Sequence, residues 1–87
     1  MEAYTYILIS LKDEKKYIGS TINLRRRLVE HYKGFVKSTK NRRPLKLFGF
    51  RLFDCIKKAA DFEHKYKKSH GQLERDIKSG KFIIFDQ

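Results

Sequence analysis

Two tyrosines, Tyr6 and Tyr17, flank a short polar turn, and Arg27 and His31 follow four residues apart. Glu63 comes later, in a lysine-rich stretch, with Lys67 four residues beyond it. Phenols donate and accept hydrogen bonds, a guanidinium matches phosphate oxygens, and an imidazole exchanges protons near neutral pH. The charge of the chain says what such groups would act on. With 21 Lys plus Arg against 10 Asp plus Glu, the 87 residues carry a net +11. The excess is local: residues 25–46 hold Arg25, Arg26, Arg27, Lys33, Lys37, Lys40, Arg42, Arg43 and Lys46 against Glu30 alone. A surface built for solubility mixes its signs more evenly. This concentration is the footprint expected for a phosphate backbone.

Taken singly, each of these residues has a plainer reading. Strand tyrosines usually pack, an arginine in an Arg-Arg-Arg run faces solvent, and a histidine beside an apolar stripe is usually a packed one. Glu63 alone is the i, i+4 partner of Lys67. His64 and His70 fit no pattern and read as surface residues. What sets the five apart is their joint order and spacing.

Residues 4–11 are β-branched and aromatic and predict a strand, 12–15 a polar turn, and 16–20 a second strand. The short link makes the pair an antiparallel hairpin. With an even-length loop, opposed positions sum to an odd number, so Tyr6 and Tyr17 point to the same face. Asn23 is placed to cap a helix running to about Tyr32 and closed by Gly34, with Leu24, Leu28 and Tyr32 as its packing stripe. Arg27 and His31 lie on the neighbouring stripe, able to reach over the sheet edge toward the tyrosines. Residues 35–43 read as a basic loop, and Pro44 opens a third strand, 45–53. A second helix spans 56–68, with Ala59, Phe62 and Tyr66 as its apolar stripe and Glu63 at the border. His70-Gly71 reads as its stop, 72–78 as a last short helix, and 81–85 as a tail that either packs or adds a strand. The expected fold is α+β: a small three-stranded sheet flanked by helices in the order ββαβαα, one domain over 1–87.

The triplets Tyr4-Thr5-Tyr6 and Tyr17-Ile18-Gly19 have ten residues between them, and Arg27 follows the second tyrosine by ten. With His31 on the same helix, this resembles the GIY-YIG nuclease family. The stretch 37–47 (KSTKNRRPLKL) is similar to the basic loop and third strand of that family's small stand-alone members, which are close to the nuclease domain of the nucleotide-excision-repair excinuclease. Glu63, in Asp61-Phe62-Glu63-His64-Lys65, stands where that branch places its metal-binding glutamate. The resemblance covers about residues 3–70 and departs from the family name at Tyr4 and Thr5.

The resemblance implies hydrolysis of DNA phosphodiester bonds with Tyr6, Tyr17, Arg27, His31 and Glu63 as catalytic residues. Glu63 would hold one Mg²⁺ or Mn²⁺, Arg27 would donate to the non-bridging phosphate oxygens, and His31 would relay a proton or bind a tyrosine. Tyr6 or Tyr17 would orient or deprotonate the attacking water. A free phenol titrates near 10, so the basic segment is expected to lower that value. Arg25, Arg26, Lys33, Lys37, Lys40, Arg42, Arg43 and Lys46 form the expected nucleic-acid surface, for DNA first and RNA second.

Composition excludes other classes. A lone cysteine, Cys55, cannot build a disulfide framework or a cysteine-based zinc site, and its apolar setting reads as a buried thiol in a reducing compartment. No apolar run approaches the roughly 20 residues needed to cross a bilayer, and the acidic, aromatic start does not resemble a signal peptide. The expectation is a cytoplasmic endonuclease of repair or recombination whose target is chosen by DNA structure or by a protein partner. The alternative is a basic nucleic-acid-binding protein of the same fold that cleaves weakly or not at all.

Overall fold

The computed structural model describes residues 1–85 and leaves Asp86, Gln87 and the His70 side chain outside that description. The hairpin forms as the pattern predicts: β1 (Ala3–Ser10) pairs antiparallel with β2 (Lys16–Thr21). Leu8 lies opposite Tyr17 and Tyr6 opposite Gly19, so the two tyrosines do share a face. On its other side β1 pairs with β3 (Leu45–Phe53). A bulge between the Ile7 and Leu8 pairs inserts Phe48 as an extra residue of β3. That one residue shifts the alternation, so that Leu47 and Phe50 both face the same helix instead of opposite sides.

That helix is α1 (Leu24–Tyr32). The Asn23 side chain caps it by accepting from the Arg26 backbone N–H at 3.0 Å. Its far end closes in a Schellman turn. The Gly34 N–H donates to the His31 carbonyl and the Phe35 N–H to the Glu30 carbonyl, at 3.1 and 2.9 Å. Gly34 has φ +82°, a conformation in which a side chain is strained. Leu24 and Leu28 pack as expected on Tyr6, Leu8, Leu45 and Leu47. Tyr32 does not; it is 44% exposed, and His31 is the residue of α1 that the sheet buries.

The opposite face is covered by α2 (Ile56–Lys68) and α3 (His70–Lys78). Ala59, Phe62 and Tyr66 are again the stripe, packing on Ala3, Ile7 and Phe53, with Leu73 and Ile77 from α3 joining them. Cys55, just before α2, is only half-buried. The expected helix stop at His70-Gly71 is instead the start of α3. The extended backbone of Ser69 (φ −112°, ψ 113°) breaks α2, and the next helix begins at once.

The sheet has four strands, not three. After α3 the chain turns back, buries Phe82, and adds β4 (Ile83–Ile84) to the free edge of β3. The tail therefore both packs and pairs, giving the chain order ββαβααβ and the sheet order β2-β1-β3-β4. The return is held by Asp76, which is 3% exposed. Its carboxylate accepts from Arg51, the Tyr66 hydroxyl and Gln72 at 2.8, 2.6 and 3.0 Å. Its carbonyl accepts from the backbone N–H groups of Lys81 and Phe82. Arg51 in turn lies over the rings of Phe53 and Phe62. Removing this carboxylate leaves a mostly covered guanidinium and a buried hydroxyl without their acceptor. Asp76→Ala is therefore predicted to destabilise the fold by about 3 kcal/mol, read from urea unfolding midpoints; a loss below about 1 kcal/mol would show that β4 docks without it.

Candidate active site

The candidate residues collect around β2, an edge strand with α1 on one side and α2 on the other. Tyr6 reaches out from β1 on the α1 face. Its hydroxyl is 2.8 Å from His31 Nε2, and both residues are essentially inaccessible, at 1% and 0%. Tyr17 lies beside them and is half-buried, its ring 6.4 Å from that of Tyr6 and 5.1 Å from the His31 imidazole, edge to face. Arg27, one turn before His31 on α1, is one-third exposed and bridges to Glu30 at 3.1 Å.

Gly19 belongs to this geometry because of its missing side chain. A β-carbon there would stand 2.6 Å from the Tyr6 hydroxyl and 2.7 Å from the ring carbon that bears it. The Tyr6 ring lies across the space a side chain on β2 would fill, so the glycine of the Tyr-Ile-Gly triplet is required by close approach.

Glu63 approaches from the other side. Its Oε1 accepts from the Ser20 hydroxyl at 2.7 Å and its Oε2 from the Lys67 ammonium at 2.8 Å. Ser20 is the neighbour of Gly19 and, by strand alternation, points to the α2 face. A carboxylate tied to one face of β2 and two phenols on the other thus flank the same edge. The five candidate residues come together around it, with Glu63 near enough to Tyr6 for its charge to be felt there. Along β2 beyond Tyr17, a cleft of about 410 Å³ is lined by Lys16, Ile18, Tyr66, Lys67, Ser69 and Leu73.

The electrostatics correct one expectation. The basic surroundings do not lower the Tyr6 phenol; it is pushed up to about 12. Burial is the main cause, and the neighbouring Arg27 guanidinium pulls the value only part of the way back. Tyr6 is a neutral phenol at physiological pH. His31 is lowered to about 4, first by burial and then by the Arg27 charge, with Glu30 offsetting part of the effect. It is a neutral imidazole.

Two participants are invisible in the sequence. Ser20 reads there only as a strand residue, although its alternation with Tyr17 and Gly19 points it toward α2. Thr39 sits in what reads as a solvated basic loop, yet it is wholly buried, with its hydroxyl 2.7 Å from His31 Nδ1. Nothing in the pattern marks it. The loop itself contains a single 3₁₀ turn, Lys40–Arg42. Arg25, Arg26, Lys33, Lys37, Lys40, Arg43 and Lys46 are exposed, while Arg42 is partly covered and pairs with Asp13 at 3.3 Å. His64 is exposed, and the His70 side chain lies outside the described residues. Among the described residues, no three His, Cys, Asp or Glu side chains gather as a metal cage. No helix among them is long and apolar enough to cross a membrane.

The lowered His31 value gives a stability prediction. Between pH 6.5 and about 4 the unfolded chain binds a proton at this position that the folded chain refuses, so stability must fall as pH drops through that window. Above it the residue is neutral in both states and contributes no slope. Unfolding midpoints measured from pH 7 to 4 should fall less steeply in His31→Gln; equal slopes would mean that His31 is protonated in the fold.

Comparison with known proteins agrees with this architecture. A UPF0213 protein of Clostridium perfringens is 37% identical over 81 residues, 92% of this chain and 86% of its own. A UPF0213 protein of Natronomonas pharaonis is 39% identical over 74 residues, covering 83% of this chain and 86% of that one. The solution NMR structure of a UPF0213 protein from Bacillus halodurans superposes with a TM-score of 0.52 at 30% identity, over 93% of this chain and 87% of its own. The model of the GIY-YIG catalytic domain matches residues 2–77. By that match, which spans most of its length, the chain belongs to the GIY-YIG family.

Proposed function

We propose that this protein is a metal-dependent endonuclease that hydrolyses DNA phosphodiester bonds. The observation that carries the reading is the approach of unlike groups to one sheet edge: phenols, imidazole and guanidinium from the α1 side, a carboxylate from the α2 side. Packing alone does not call for a carboxylate held at a strand edge within a strongly cationic protein.

Glu63 suits a hard divalent cation. Each of its oxygens has one protein partner and retains a lone pair, and a single carboxylate with waters is a common way to hold Mg²⁺ or Mn²⁺. Such an ion, when bound, supplies Lewis-acid stabilisation of the phosphate. Ser20 then orients the carboxylate, and Lys67 yields its place on Oε2 or shares it. Arg27, already part-exposed, exchanges Glu30 for the non-bridging oxygens, where its planar fork fits. Tyr17 is the phenol open to solvent and takes the role of orienting or activating water. Tyr6, neutral and locked to His31, is a hydrogen-bonding group and not the base.

Arg25, Arg26, Lys33, Lys37, Lys40, Arg42, Arg43 and Lys46 would track the phosphate backbone. The described residues are taken up by the sheet and its helices, with no separate sequence-reading element among them. Target choice then falls to DNA structure, such as branches or damage met in repair or recombination, or to a partner protein.

One observation favours a second reading. The Lys67 ammonium on Glu63 neutralises the carboxylate, as it would in a binding protein without catalysis. A cleavage assay on single-stranded, duplex, flapped and branched DNA with Mg²⁺ or Mn²⁺ separates the two. Metal-dependent product is expected, reduced at least about 100-fold in Glu63→Gln and Arg27→Ala and at least about tenfold in Tyr17→Phe. Tight binding without product on any substrate would leave the binding-protein reading standing. Affinity for duplex DNA should fall steeply with salt, and replacing Arg26, Lys37 and Lys40 together by alanine should make the slope of log K against log salt shallower, by about one for each phosphate the variant no longer neutralises. A slope unchanged by the triple substitution would move the binding surface elsewhere.

A further inference from the structure

Among the described residues, Phe35 is the most exposed large apolar side chain after the N-terminal Met1, at 75%. It stands on a fixed piece of backbone. Its N–H closes the turn after α1 on the Glu30 carbonyl. The next residue, Val36, is buried, and its carbonyl accepts from the N–H groups of Thr39 and Lys40 at 3.2 and 2.9 Å. The apolar contact that commonly completes a Schellman turn would join Phe35 to Glu30 or Val29. Glu30 is charged and paired with Arg27, and Val29 is itself 44% exposed. The ring is therefore held out in water by an ordered turn, with little of it used by the packing of the fold.

The surroundings of the ring are cationic. Lys33, Lys37 and Lys40 are exposed around it in the chain. The Arg43 guanidinium lies across the same turn: a β-carbon on Gly34 would stand 2.6 Å from its central carbon. Arg43 is fixed there by its Nε, which donates to the Lys40 carbonyl at 3.0 Å. Among the described residues none of these four cations has an ion-pair partner. A protein segment covering the ring would have to be acidic to sit among them. A nucleotide brings both complements at once, a phosphate for a cation and a flat π face for the ring. In an intact duplex those faces are stacked on one another, and reaching one means prying a base step open. An unpaired nucleotide offers its face without that cost.

We propose that Phe35 is a base-stacking residue: its ring takes the face of an unpaired nucleobase while Lys33, Lys37, Lys40 and Arg43 take the phosphates on either side. The preferred substrate is then DNA with unpaired nucleotides, as at a flap, a branch point or a single strand. The ring stands at the end of the helix that presents Arg27 and His31, so a strand stacked there runs on toward the candidate site. This names the substrate class of the proposed endonuclease; it rests on the nucleic-acid part of that reading and not on cleavage.

Fluorescence anisotropy in EDTA, where no strand is cut, tests the proposal with three DNA probes of equal length: a mixed-sequence single strand, its abasic counterpart and a duplex. The unmodified protein is expected to bind the normal strand at least about fivefold more tightly than the abasic one, the lower end of what one stacked base contributes. Phe35→Ala should lose about that factor on the normal strand and much less on the other two, so that the preference for bases disappears. Its salt dependence should not change, because no charge is removed. Phe35→Trp should keep the preference. Phe35→Leu, apolar but without a π face, should behave as the alanine variant. The site is exposed, and matching urea midpoints would show that all three variants fold. Full single-strand affinity in Phe35→Ala or Phe35→Leu overturns the proposal, and so does an equal loss on all three probes. Binding to phosphatidylserine vesicles that is lost in Phe35→Ala, with strand affinity intact, gives the ring to a lipid surface and also overturns it. A protein that cleaves DNA but shows no dependence on Phe35 sinks this proposal alone. A Phe35-dependent preference in a protein that cuts nothing sinks the nuclease reading alone, and absence of binding to every probe sinks both.

Discussion

The structure turns on the hydrogen bond between the Tyr6 hydroxyl and His31 Nε2, made where water does not reach. Taking a phenol and an imidazole out of water is unfavourable unless each finds a partner, and a buried pair is worth most when its geometry is fixed from both ends. Much of the architecture serves that condition. The hairpin register puts Tyr6 over Gly19, the Asn23 cap and the turn at Gly34 bound the helix that presents His31, and the chain after that turn brings Thr39 back beneath the imidazole. The same burial keeps Tyr6 protonated and His31 neutral, so the pair is a fixed array of dipoles and not a titrating couple.

Placing the candidate site on an edge strand solves a problem of access. A carboxylate and a set of phenols on opposite faces of a central strand would be separated by the sheet and covered by its neighbours. At β2 they are separated by the thickness of one strand, and among the described residues nothing pairs with its outer edge. The other edge of the sheet is treated differently: β4, two residues long, is added to β3 and anchored through Asp76. One margin is closed by packing while the other carries polar side chains, and both margins manage the exposed strand groups that would otherwise invite pairing between molecules.

Much of this is legible in the sequence because it depends on local rules. The alternation that sets Tyr6 and Tyr17 on one face, the cap at Asn23, the stop at Gly34 and the stripe of Ala59, Phe62 and Tyr66 are all consequences of spacing. What stays hidden depends on groups distant along the chain. β4 is too short to have a pattern of its own and exists because Asp76 turns the chain back. The start of α3 at His70 reads as a stop, since a glycine after a helix has two meanings and the break at Ser69 chooses between them. Thr39 looks like one more polar residue among lysines, and only the fold reveals it as buried. The direction of the Tyr6 shift escapes the sequence for a related reason: charge can be counted along a chain, but burial cannot.

The close approach of Tyr6 to Gly19 has a consequence for transplanting this arrangement. Positions 6 and 19 sit on adjacent strands and share one volume, most of it filled by the phenol ring. Neither can be copied into another hairpin by itself. A scaffold given the tyrosine but holding any side chain at the facing position will rotate the ring away from its histidine. One given the glycine without the tyrosine gains a void. The portable unit is the cross-strand pair in its register, and a designer who wants the site must first graft the empty space.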